Sequence, residues 1–194
     1  MDELAFEELE QLFAALGQHL NAAGGSAAIV VVGGSTLAYR GWVDRTTKDV
    51  DVIAQATVSP SGKSLCSADP LPKALVDAVK RVARDFGLSE DWLNTAIGAQ
   101  WDFGLPAGFA EEIEWREFGP LTVGFAGRQS IIALKLFAAV DQGPESVHLQ
   151  DLIALEPRSS ELERAVAWVL SQDQAEAFPA LVEEVKEYVR RALG

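Results

Sequence analysis

Apolar positions change period several times along the chain, and each change marks an element. Leu9, Leu12, Phe13, Leu16 and Leu20 recur three and four residues apart with Glu7, Glu8, Gln11 and Gln18 between them, which predicts an amphipathic first helix. Asn21–Ser26, with Gly24 and Gly25, ends it. Ala27–Val32 carries no polar side chain, the pattern of a strand covered on both faces. Gly33 and Gly34 break that run, and Ser35 is placed to cap a short helix through Tyr39. Arg45–Lys48 then leads into a second strand over Asp49–Ala54.

Thr57–Pro72, with its serines, prolines and Gly62, reads as a long polar loop. Leu75, Val76, Val79, Val82, Ala83 and Phe86 predict another helix, and the following "SEDWLNTAI" reads as helical too. Ile113 and Trp115 alternate with Glu112, Glu114 and Arg116, and "FGP" turns the chain into Leu121, Val123 and Phe125, which predicts a hairpin. From Ser130 onward the pattern is helical: "SIIALKLFAAV", "VHLQDLIAL", a helix opened by Ser160 and Glu163 as a capping box, and a last helix carrying Leu181, Val182, Val185 and Val189. The expectation is an α/β (α+β) fold: a small mixed sheet flanked by helices over residues 1–126, and a helical carboxy-terminal part over 127–194.

Composition narrows the chemistry. With 194 residues, 48% hydrophobic and 23% charged, the chain is long enough to bury a sizeable core. Its 29 acidic and 16 basic side chains leave a net charge of −13, a field that repels nucleic acid over most of the surface, so no extended nucleic-acid surface is expected. The basic clusters, Lys80, Arg81 and Arg84, then Lys186, Arg190 and Arg191, read as ordinary solvated helix faces. Cys66 is the single cysteine, so an internal disulfide is excluded and a reducing cytoplasm is the expected setting. No apolar run approaches membrane-spanning length, and the acidic amino terminus lacks the basic start and apolar core of a signal peptide.

The stretch "VVVGGSTLAYRGWVDRTTKDVDVIA" concentrates the candidate chemistry. In an extended strand Asp49 and Asp51 share a face, and two adjacent carboxylates repel unless protonated, paired with bases or bridged by a divalent cation. Mg²⁺, which prefers oxygen ligands and arrives with substrate phosphates, suits that pair. Gly33 and Gly34 let the backbone approach a ligand, and Ser35 with the first helical amides offers a place for phosphate oxygens. Arg45 and Lys48 either neutralise the aspartates or meet phosphate.

"GGSTLAYRG" followed by "RTTKDVDV" resembles the first signature of the DNA polymerase β-like nucleotidyltransferase superfamily, nearest its bacterial and archaeal abortive-infection and toxin–antitoxin branch. "ALKLFAA", with Lys135, and "HLQDLIAL", with Asp151, are similar to the later elements of that branch and stand in the same order. The resemblance implies that Gly34 and Ser35 grip a nucleoside triphosphate, with Gly33, Arg45, Thr47 and Lys48 as further nucleotide-side residues. It implies that Asp49 and Asp51 hold Mg²⁺, two ions with bound triphosphate, while Lys135 contacts phosphate and Asp151 lines or braces the site. The implied reaction moves a nucleoside monophosphate to a hydroxyl of RNA or protein, and a toxin role would bring an antitoxin partner. Members of the superfamily usually add a third carboxylate from a neighbouring strand. Glu112 and Glu114 are the nearby candidates, with Glu114 preferred; without such a group, nucleotide binding without turnover is the alternative. His148, three residues before Asp151, is either a site neighbour or an ordinary surface or core histidine, and His19 reads as structural. Trp92, Trp101 and Trp115 either stack a base or fill the core.

Overall fold

The computed structural model describes residues 4–59 and 62–194. These divide into two compact units, one running through Asp102 and resuming over Ile113–Ala126, the other comprising Phe103–Glu112 and Gly127–Gly194. The fold is mixed α/β, with a six-stranded mixed sheet and a helical carboxy-terminal part. No helix among the described residues is long and apolar enough to cross a membrane.

In the first unit α1 (Phe6–Ala22) buries Leu9, Leu12, Phe13, Leu16, Gly17 and Leu20, the stripe its sequence predicts. Then follow β1 (Ala27–Val32), α2 (Gly33–Arg40), β2 (Val50–Ser59), β3 (Gly62–Ser67), α3 (Lys73–Phe86), β4 (Leu93–Asn94), α4 (Ala99–Phe103), β5 (Glu114–Phe118) and β6 (Leu121–Phe125). The strand order is β3-β2-β1-β6-β5, with β4 added to β2. β1 is antiparallel to β2 and parallel to β6, so it sits at the centre of the sheet. Centrality accounts for its composition: Ala28–Val32 are all buried, and alternate residues Ile29 and Val31 join the core that α1 and α3 build on one face. Gly17 is required there, because a Cβ would collide with the Phe118 carbonyl.

Two expectations for this unit are corrected. Thr57–Pro72 is no simple loop: β2 continues to Ser59 and pairs antiparallel with β3, while residues 60 and 61 lie outside the described residues. The Gln55 amide then fixes the chain beyond β3, donating to the carbonyls of Ser67 and Pro70, each at 2.9 Å. "SEDWLNTAI" forms β4 and a short 3-10 turn at Ala96–Gly98. Tertiary contacts override its helical reading, since Trp92 is buried with its indole N–H on the Val79 carbonyl, and its own carbonyl accepts from Val50 N–H at 2.7 Å. The predicted hairpin forms as β5 and β6 around Gly119, φ 64°.

The second unit carries α5 (Arg128–Gln142), α6 (Val147–Ala154), α7 (Ser159–Val169) and α8 (Phe178–Leu193), with α6, α7 and α8 packed on α5. α7 opens one residue before Ser160, and its capping carboxylate is Glu161, which accepts from Arg158 N–H at 2.8 Å; Glu163 is exposed and pairs with Arg190 instead.

Candidate functional site

The candidate site is built where β1 ends and α2 begins. Gly33 has φ +70°, a left-handed conformation that only glycine adopts cheaply. A Cβ at that residue would lie 2.5 Å from the Asp51 carboxylate oxygen Oδ2. Register explains the meeting, because Val32 is directly opposite Asp51 in the antiparallel β1–β2 pair. Gly34 is crowded as well: its Cβ position is 2.5 Å from the Thr47 hydroxyl and 3.4 Å from the Arg45 guanidinium. The two glycines therefore let a backbone corner pack directly under one carboxylate, one hydroxyl and one cation.

No side chain caps the start of α2, whose flanking residue Val32 is extended. Ser35 is not the cap expected of it. Its hydroxyl donates back to the Val32 carbonyl at 3.0 Å and is fully buried, and the Thr36 hydroxyl donates to the Val31 carbonyl at 2.9 Å. Both hydroxyls pin the strand-to-helix turn, so any grip of Ser35 on an anion comes from its backbone amide. Thr47 is held from the other side. Leu4 N–H donates to the Thr47 carbonyl at 2.6 Å, Thr47 N–H donates to the Leu4 carbonyl at 3.0 Å, and its hydroxyl donates to the Asp49 carbonyl at 3.2 Å.

Asp49 stands one residue before β2 and Asp51 is its second residue, both half-buried; Lys48 is exposed. Among the described residues no three His, Cys, Asp or Glu side chains converge, so a cation held at Asp49 and Asp51 would take its further ligands from outside the protein. That donor set fits Mg²⁺, which binds through one or two carboxylates and takes its remaining oxygens from phosphates and water.

The third carboxylate is where sequence and structure part. The strands flanking β2 are Ala27–Val32, Gly62–Ser67 and Leu93–Asn94, and none carries Asp or Glu. The residue of β4 opposite Asp51 is Asn94, an amide whose Oδ1 accepts from Ala96 N–H at 2.9 Å. Glu114 opens β5, beyond β1 and β6, three strand spacings or roughly 14 Å from β2. Both its oxygens are engaged, one by Arg40 and the other by Arg116 at 2.8 Å. Glu112 lies in a turn before β5, its side chain against Gly127.

Lys135 and Asp151 belong to the second unit, on α5 and α6. They form a buried ion pair at 2.7 Å, with side chains 5% and 2% exposed, and His148 Nδ1 lies 3.4 Å from the Lys135 ammonium. The sequence placed these residues singly; their juxtaposition follows from α6 packing on α5. Of the tryptophans, Trp92 is core, Trp115 lies over Gly124 with the Lys63 ammonium 5.0 Å from its ring, and Trp101 is half-buried. His19 pairs with Asp85 at 3.2 Å.

No family model, no curated protein and no solved structure matches this chain.

Proposed function

We propose that the Gly33–Asp51 corner binds the triphosphate of a nucleotide with Mg²⁺ and supports attack of a hydroxyl of RNA or protein on the α-phosphorus, which transfers the nucleoside monophosphate and releases pyrophosphate. The observation that carries this reading is the uncapped start of α2, where Gly33 leaves room for the Asp51 carboxylate and Gly34 for the Arg45 guanidinium. Helix-start amides and a guanidinium attract phosphate oxygens. Asp51, with Asp49, would hold Mg²⁺, which when bound neutralises phosphate charge and polarises the α-phosphorus toward attack. The residues themselves position: the glycine corner sets how closely phosphate approaches, Thr47 fixes the Asp49 backbone, and Arg45, whose Nη1 donates to the Thr46 carbonyl at 2.8 Å, brings a cation beside Gly34.

A second reading, nucleotide binding without turnover, is favoured by one observation. Asn94 stands opposite Asp51 and Glu114 is engaged by Arg40 and Arg116, so no strand flanking β2 presents a carboxylate to the acceptor hydroxyl. Incubation with α-labelled and γ-labelled triphosphates separates the readings. Transfer predicts α-label, but no γ-label, on RNA or protein acceptors, lost in Asp49→Asn and Asp51→Asn. Label from neither, with nucleotide still bound, selects the second.

A further inference from the structure

We infer that the cavity between the entry of α1 and the segment after α2 is the base pocket of this nucleotide site, and that it favours bases presenting amino donors; the inference rests on the triphosphate reading above. The cavity holds about 690 Å³, within the range of small-molecule sites, and Phe6, Glu7, Ala38, Val43, Asp44 and Arg45 contribute to its lining. Its walls come from segments distant in sequence, fastened by the paired Leu4–Thr47 backbone hydrogen bonds at 2.6 and 3.0 Å. The Thr47 hydroxyl packs on Gly34, so cavity and helix start share one frame. Arg45 joins them, since it lines the cavity while its guanidinium lies 3.4 Å from the Cβ position of Gly34. Phosphates seated at the corner leave the nucleoside this adjoining space past Arg45.

The lining specifies what it accepts. Phe6 is 41% exposed and offers an aromatic surface for stacking a base. Glu7 and Asp44, both exposed, bring carboxylates to its rim with no hydrogen-bond or ion-pair partner among the described residues. An ionised carboxylate only accepts hydrogen bonds. The exocyclic amino group of cytosine, adenine or guanine donates to it, whereas uracil carries a carbonyl oxygen in place of cytosine's amino group and donates on that edge only through N3–H.

CTP and UTP differ at that one edge and are equal in size, which makes them the probes. Titration calorimetry with Mg²⁺ compares CTP, UTP and inorganic tripolyphosphate on the wild type, Phe6→Ala and Glu7→Gln/Asp44→Asn. The wild type binds CTP about tenfold more tightly than UTP, as expected for a base-edge hydrogen-bond set. The double variant brings that ratio close to one, and Phe6→Ala weakens both nucleotides while tripolyphosphate binding stays. Equal affinity for CTP and UTP, or nucleotides no tighter than tripolyphosphate, overturns the base pocket and leaves the phosphate corner standing. No binding of tripolyphosphate or of either nucleotide overturns the functional reading and this inference with it.

Discussion

Asp51 and Gly33 are placed so that the carboxylate Oδ2 of one stands 2.5 Å from where the other would carry a Cβ. Gly33 also has φ +70°, so alanine there is strained twice. Gly33→Ala is expected to cost about 1–3 kcal/mol of stability through backbone strain and to displace the Asp51 carboxylate. Denaturant unfolding measures the first effect and magnesium-dependent nucleotide binding the second. Full stability with full binding would contradict the geometry.

Glu114 is the residue on which a catalytic and a structural role diverge. With Arg40 and Arg116 on its two oxygens and a partly exposed side chain, it is an ion-pair anchor of β5 on α2. Glu114→Gln is expected to lower stability by at most about 1 kcal/mol and to leave nucleotide affinity within about twofold. Loss of transfer at unchanged stability and affinity would instead assign Glu114 to the reaction.

How much of this was legible in the sequence depended on how local each cause was. The β1 run and the glycines after it are adjacent in the chain, so strand, turn and short helix could be read from their order. The hairpin over Glu114–Phe125 was readable for the same reason, from alternation around Gly119 and Pro120. A hydroxyl at a helix start can cap forward or bond backward, and for Ser35 the Val32 carbonyl decides it, which sequence order does not show. β3 and β4 were missed because polar edge residues and a two-residue strand carry no period; β2 and the buried Trp92 impose them. Asn94 opposite Asp51 is a product of that pairing and left no signal of its own.

Lys135 and Asp151 test burial against charge. Removing one member of a buried ion pair strands the other, at about 3–5 kcal/mol, whereas replacing both with apolar residues is often close to neutral. Asp151→Asn and Lys135→Met are therefore expected to be strongly destabilised, and Lys135→Met/Asp151→Leu to recover much of the loss, by denaturant unfolding. Single variants within about 1 kcal/mol of the wild type would contradict a structural role for the pair.

Glu161 gives the second unit a pH dependence. Burial works against its charged form, but the Arg158 N–H and the Arg128 guanidinium outweigh it and hold its pKa below the usual carboxylate value. A depressed folded pKa contributes stability that is present above the ordinary carboxylate range and lost as pH falls through the folded value. The Tm gap between wild type and Glu161→Gln is thus expected to be widest near neutral pH and to close below about pH 4. A gap that does not change between neutral and acid pH would contradict the assignment.

The magnesium-dependent triphosphate corner is tested most directly by thermal unfolding of wild type and Asp51→Asn with each ribonucleoside triphosphate, with and without Mg²⁺. At a hundredfold excess over Kd a ligand adds about 2.7 kcal/mol, and a domain of this size gains about 2–4 °C per kcal/mol. A Tm rise of roughly 5–10 °C is expected for the wild type with Mg²⁺ and at least one triphosphate. That rise should be absent without Mg²⁺ and absent in Asp51→Asn. No rise with any triphosphate, or the same rise in Asp51→Asn, would contradict it.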